Sequence, residues 1–235
     1  VADKFIDSGL IVSTKSRLAF ENQEFKASPE KTTVKKNLPI IVLINQGSAS
    51  ASEILSGALK DYHMAYLVGQ KTYGKGSVQQ VIPLSEVDGM KLTMARYYTP
   101  TDVNIDKIGI PPDYEIKNIE EMSKEEEEAY TNLIQSNIVT ETVEKTPNMK
   151  ESDIALAAKV IAKTYPIEER LIRRLLRIQV QRTQNSPLYD LDYDLQLAKA
   201  IEIIQNNDFN ELMRKTKTLK ELQESALADE TTDSK

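Results

Sequence analysis

The chain has 235 residues, 40% of them hydrophobic, 28% charged and 6% aromatic, a balance that can build a core and is unlike that of an unfolded tail. It has no cysteine and one histidine, His63, which excludes disulfide frameworks, thiol nucleophiles and cysteine- or histidine-rich metal sites. Charge is uneven within a net −6: 14 Lys/Arg stand against 13 Asp/Glu in residues 1–118, but 16 against 23 in residues 119–235, an acidic half that argues against nucleic acid as the main partner.

All eight glycines lie between Gly9 and Gly109. Glycine marks tight turns and close backbone approach, so residues 1–118 are expected to be mixed α/β and residues 119–235 helical. The opening Val-Ala-Asp-Lys-Phe is neither an initiator methionine nor a signal peptide and reads as a chain entered partway. No apolar run approaches the roughly 20 residues that span a bilayer. In chain order, Val1–Ser8 reads as a helix end stopped by Gly9, and Leu10–Ser13 as a short strand. Asn22–Asn37 is polar and reads as an exposed hairpin or loop. Leu38–Ile44 is an unbroken apolar run rich in β-branched residues, the pattern of a central strand buried on both faces. Ile54, Leu55, Ala58 and Leu59 give helical spacing between Ser50 and Tyr62, and Ala65–Val68 is a second short strand. Ser77–Leu84 and Met90–Tyr98 flank a turn at Asp88-Gly89, as an antiparallel pair would.

From Ser123 onward the pattern predicts helices at 123–137, 151–164, 167–183, 191–206 and 208–227, punctuated by Pro147, Pro166 and Pro187. Leu171, Ile172, Leu175, Leu176 and Ile178 form one stripe, and Arg170, Arg173, Arg174 and Arg177 a solvated face opposite. Asp229–Lys235 reads as a frayed tail. Asp190-x-Asp192-x-Asp194 has the start of a calcium loop, but Leu195 and Ile201 replace the glycine and glutamate that such a loop needs.

Candidate chemistry is concentrated in Gly47-Ser48-Ala49-Ser50-Ala51-Ser52-Glu53, where a strand turns into a helix. Helix N-termini carry unpaired N–H groups and partial positive charge, and two such groups aimed at a carbonyl oxygen stabilise a tetrahedral oxyanion. Ser50-x-x-Glu53 is also a capping box, and from these seven residues alone capping is the better reading. A serine hydroxyl needs a base. His63 lies about 20 Å away along the helix that Ser50 begins, which leaves a lysine or a carboxylate. In Gly69-Gln70-Lys71-Thr72-Tyr73-Gly74-Lys75-Gly76-Ser77 the spacing mimics a phosphate-binding loop, but Gly76 stands where a magnesium-binding Ser or Thr belongs and a strand pattern follows. Flanking glycines would instead let Lys75 sit in a crowded, partly desolvated place, where burial lowers a lysine's pKa toward use as a base. Gln79, four residues on, either holds that amine or points outward from a strand.

With Val42–Asn45, Gly47–Glu53, Gly57–Asp61, Leu67–Gly69, Thr72–Gln79, Gly109-Ile110 and Pro112-Asp113 in order, residues 1–116 resemble the carboxyl-terminal processing, or tail-specific, serine proteases. The 25-residue step from Ser50 to Lys75 fits that family's serine–lysine spacing. The resemblance implies Ser50 as nucleophile, Lys75 as general base, Gln79 as its orienting partner and the Ala51 amide as an oxyanion donor, with no cofactor and no metal. It implies a mixed α/β protease core, crotonase/Clp-protease-like, followed by an all-helical C-terminal region, with a PDZ module and a second oxyanion segment expected upstream of Val1. Asp190–Ile204 is similar, more loosely, to a helical tail segment of the same family. Implied too are polypeptide substrates, cleaved in loosely structured C-terminal regions, and an envelope or periplasmic setting that allows peripheral membrane association. Residues 1–118 would be the C-terminal part of the catalytic core, and residues 119–235 a helical region for homo-oligomerisation or docking. Alone, the chain is expected to cleave peptides poorly. The rivals are an inactive protease remnant serving as a helical scaffold and a crotonase-like enzyme acting on acyl thioesters, whose chemistry the Gly-Lys-Gly loop does not suit.

Overall fold

The computed structural model describes residues 1–35, 38–117, 122–182 and 189–233. The expected boundary at 118 and the break at Pro187 lie outside the described residues. Contacts divide the chain into two units, Val1–Lys117 with Gln196–Lys235, and Asn118–Leu195.

The first unit opens with a 3-10 turn at Ala2–Lys4, where a helix end was expected, and holds two sheets. β1 (Gly9–Ser16), β2 (Gln23–Ala27), β5 (Ser77–Pro83) and β6 (Gly89–Tyr98) form an antiparallel sheet in the order β2-β1-β6-β5. β3 (Ile41–Ile44), β4 (Tyr66–Gly69) and β7 (Tyr114–Glu115) form a parallel one in that order. The predicted β5–β6 hairpin is present. β2 falls within the stretch expected to be a hairpin or loop, because pairing with β1 decides a strand that its own polar residues do not announce. β3 differs from expectation. It is the outer strand of its sheet, with Leu43 38% exposed, since among the described residues β4 alone flanks it.

α1 (Ala51–Asp61) follows β3 and returns the chain to β4, the connection a parallel pair requires. Ala58 and Leu59 on its inner face pack with Ile44, Leu67, Ile105 and Ile110. Two buried charges lie at its C-terminal end. Lys60 pairs with Asp113, which also accepts the Leu67 amide at 2.8 Å. Asp61 accepts the Thr101 hydroxyl at 2.7 Å and the Leu219 amide at 2.8 Å.

Six helices follow in the described C-terminal part besides α2 (Lys124–Gln135): α3 (Ile138–Lys145), α4 (Glu151–Ala162), α5 (Glu169–Gln181), α6 (Leu195–Asn206), α7 (Phe209–Lys215) and α8 (Leu219–Asp233). The chain thus has the mixed α/β part and helical C-terminal region expected of it. The contacts divide that helical part differently from the expected single region at 119–235. Gln196–Lys235 returns to the first unit, where Leu219 is buried in the core around α1 and Gln196 donates to Ile116 O at 3.1 Å. The helix expected over 208–227 is two, separated at Thr216–Thr218, and α8 continues into the expected tail.

In the second unit Leu133, Ile154, Ala158, Ile172 and Leu176 form an apolar core. The arginine face of α5 is engaged more than a solvated row would be. Arg177 pairs with Asp192 at 2.8 Å and Asp190 at 3.3 Å, and its guanidinium lies 5.1 Å from the Tyr193 ring centre. Burial, then the hydrogen bond to Glu151, pushes the Tyr193 phenol up to about 12.

Candidate functional site

β3 and β4 run parallel and in register, so their carboxyl ends at Ile44 and Gly69 lie side by side. Asn45–Ser50 leaves from one and Gln70–Gly76 from the other, with the Gln70 amide donating to Ile44 O at 2.9 Å. Loops at the carboxyl edge of parallel strands are the usual place for a site in such folds. Here that edge carries both the serine turn and the lysine loop.

The serine turn is fixed by its own polar groups. Asn45 Oδ1 accepts the Gly47 amide at 2.8 Å, and Ser48 O accepts the Tyr73 amide at 3.0 Å. Ser50 takes φ 57°, ψ −114°, a conformation that costs a non-glycine residue on the order of 1–3 kcal/mol and persists only when its surroundings hold it. The capping-box pairing of Ser50 and Glu53 is present, with the Ser50 amide donating to Glu53 Oε2 at 2.9 Å, while the Ser50 hydroxyl makes no hydrogen bond of full capping geometry. The hydroxyl therefore sits at the capping position without a hydrogen bond that holds it there. The Ala51 amide at the helix start has no acceptor among the described residues, as an oxyanion donor requires.

Glu53 is the residue whose importance the sequence does not reveal. Its side chain is fully buried. Oε1 accepts the Thr72 hydroxyl at 2.6 Å and the Gly74 amide at 2.7 Å; Oε2 accepts the amides of Ser50 at 2.9 Å and Lys75 at 2.8 Å. The backbones of Ser50 and Lys75 therefore meet on one oxygen atom. The Thr72 hydroxyl in turn accepts the Ile110 amide at 2.7 Å, which joins the 99–111 loop to the same carboxylate. Ser50-x-x-Glu53 spacing is the local signal; the Thr72, Gly74 and Lys75 donors come from 19 to 22 residues away.

The glycines beside Lys75 are needed for close approach. Gly74 has φ +86°, and a Cβ there would lie 3.0 Å from the Ile108 and Gly109 amides; one on Gly76 would lie 2.5 Å from the Asp106 amide. This crowding surrounds the glycines and not the Lys75 side chain. The Lys75 side chain is exposed, not desolvated as expected, because packing of the flanking glycines leaves the residue between them outward. Its amine has no ion-pair partner among the described residues. Gln79 also departs from expectation: it is exposed on β5 and its Nε2 reaches Thr93 Oγ1 on β6 at 3.5 Å, with no hydrogen bond to Lys75. His63 stands apart, beyond the far end of α1, with Nδ1 at 2.7 Å from Thr216 Oγ1. Thr72, Asp113 and Glu53 are thus brought to the lysine loop and its strands, Ser50 and Lys75 meet through their backbones, and Gln79 does not join them.

The family comparison covers these residues. Peptidase family S41 matches residues 1–116. A carboxy-terminal-processing protease of Bartonella bacilliformis is 50% identical over 113 residues, 48% of this chain and 26% of that protein. A Staphylococcus epidermidis protein named "Probable CtpA-like serine protease" is 35% identical over 168 residues, 72% of this chain and 32% of that one. Among solved structures, the photosystem II D1 C-terminal processing protease is 38% identical, with a TM-score of 0.44 over 49% of this chain and 29% of that chain. The matched part is 26% of the first of these curated relatives and 32% of the second. On residues 1–116, which hold both the serine turn and the lysine loop, the chain belongs to peptidase family S41, among the carboxyl-terminal processing proteases.

Proposed function

We propose that this chain carries the nucleophile and base of a serine endopeptidase that cleaves loosely structured C-terminal regions of polypeptides. The observation that carries the reading is the single Glu53 oxygen shared by the Ser50 and Lys75 amides, which ties two residues of the right chemistry into one rigid frame. Ser50 Oγ attacks the scissile carbonyl carbon as the Lys75 amine takes its proton, and the Ala51 amide donates to the oxyanion. Collapse of that intermediate breaks the C–N bond, and the Lys75 ammonium returns the proton to the leaving amine. Water then releases the acyl group by the same route. Lys75 works as a base only in its neutral form. Gln79 is assigned to orient the amine by the family resemblance alone; among the described residues its side chain makes one long hydrogen bond, to Thr93.

The test is cleavage of an unfolded protein by the full-length protein and by its Ser50→Ala and Lys75→Ala variants. Both variants are expected to keep the fold and lose cleavage. Cleavage retained by either variant would overturn the assignment.

A further inference from the structure

Gln196, Ala200 and Ile203 are the buried residues of α6, at the i, i+4 and i+7 spacing of one helix face. Such a stripe calls for an apolar residue at its first position, yet Gln196 stands there and is 3% exposed. A buried amide needs a partner, and this one finds it at the carboxyl edge of the parallel sheet. Its Nε2 donates to Ile116 O at 3.1 Å, and the Ile116 amide donates to Gly69 O at 2.8 Å. Gly69 ends β4 opposite Glu115 of β7, with φ +133°. A Cβ on it would lie 2.0 Å from Ile44 O and 3.0 Å from Gln196 Nε2. The Gln196 amide thus lies against the last residue of β4, and the next residue, Gln70, opens the lysine loop.

We propose that Gln196 is a positioning residue of the protease: its amide fixes where the lysine loop leaves the sheet, and so where Lys75 stands relative to Ser50. The proposal rests on the reading of these two residues as base and nucleophile. Further along, the loop is tied by the Tyr73 amide to Ser48 O at 3.0 Å and by the Lys75 amide to Glu53 at 2.8 Å. Its start is held to β3 by the Gln70 amide on Ile44 O at 2.9 Å, and to the β7 side through Ile116 and Gln196. A glycine at positive φ has no side chain to resist rotation, and the Gln196 amide closes the space beside it. An apolar residue of the same length would fill that space but donate nothing to Ile116 O, which accounts for an amide on an apolar stripe. Misplacement of about 1 Å, even remote from the reacting atoms, can cost about 100-fold in rate. Gln196 is buried and meets no substrate, so loosening it lowers turnover and spares binding.

Gln196→Met keeps the length and apolar bulk of the side chain and removes the donor. In the full-length protein cleaving an unfolded substrate, it is expected to lower kcat about tenfold or more with KM within about twofold. The amides of Gln70 and Tyr73 should exchange faster, while those of α1 keep their protection. Gln196→Glu, which sets a carboxylate oxygen against Ile116 O, is expected to lose at least as much. Ile203→Ala, two helical turns on along the same face, loosens α6 through a cavity. It is expected to lower the denaturation midpoint while leaving kcat as it was. A folded Gln196→Met protein with wild-type kcat, a loss confined to KM, unchanged exchange at Gln70 and Tyr73, or an equal loss of kcat in Ile203→Ala would overturn the positioning role. Were the Ser50→Ala protein to cleave, the nucleophile would be wrong, while exchange at Gln70 and Tyr73 in Gln196→Met still judged the hold of Gln196 on the loop.

Discussion

Glu53 and Arg177 each gather a polar cluster, and the two clusters are built on opposite terms. Glu53 is completely buried and held by four neutral donors from two chain segments. Arg177 is 24% exposed and faces Asp190, Asp192 and Glu151 from water. A buried polar network fixes geometry, because every unpaired member is costly; a surface ion-pair cluster adds little, because solvent screens it. The first unit spends its polar groups on shape near a candidate site. The second takes its stability from an apolar core under glycine-free helices.

Four substitutions sharpen that contrast, with unfolding in denaturant as the measure of stability and amide exchange as the measure of where it changes. Lys60→Met should cost the most, about 3–5 kcal/mol, because it leaves the Asp113 carboxylate buried without its cation, with lost protection confined to the first unit. Ile172→Ala in the second unit should cost about 2–4 kcal/mol through the cavity it opens, and loosen α4 and α5 while the Ser50 turn keeps its protection. Glu53→Gln should cost about 1–3 kcal/mol, since an amide nitrogen must then face donors. Cleavage by the full-length protein should fall about 100-fold or more as Ser50 and Lys75 lose register. An active Glu53→Gln protein would show that the shared oxygen is not what aligns them. Arg177→Gln should cost least, about 1 kcal/mol or below; a loss as large as that of Lys60→Met would erase the distinction between the two clusters.

Much of this was legible from residue order, for physical reasons that vary by element. The β5–β6 hairpin announces itself by alternation around Asp88-Gly89, and α5 by its apolar stripe. β2 does not, because Gln23–Ala27 is exposed and only β1 makes it a strand. The apolar run before Asn45 shows that a strand is there, but not which neighbours it has. The break between α7 and α8 carries a readable signal in Thr218-x-x-Glu221, where the Glu221 amide reaches the Thr218 hydroxyl at 3.2 Å and the Thr218 amide reaches Glu221 Oε2 at 2.7 Å. At the site, Ser50, Lys75 and their glycines are visible as residue types at a spacing. The convergence on Glu53 is not, since three of its four donors are supplied by tertiary folding. Nor is the exposure of Lys75: flanking glycines guarantee a tight backbone and leave the side chain's surroundings open.

The Asp61 carboxylate sets a timetable for the chain as it is made. Its acceptor for the Leu219 amide lies 158 residues before that partner, and the core under α1 is closed by Leu219 itself. During synthesis the helix that begins at Ser50 leaves the ribosome long before the residue that seals its far end. At about 5–20 residues per second, that interval lasts roughly 10–30 s. For that time Asp61 is solvated by water and the apolar floor stays open, while the intervening helices have already emerged and can pack among themselves. The far end of α1 is thus sealed only after Leu219 has been translated, whereas the residues that hold the serine turn at its start all precede it by more than 100 positions.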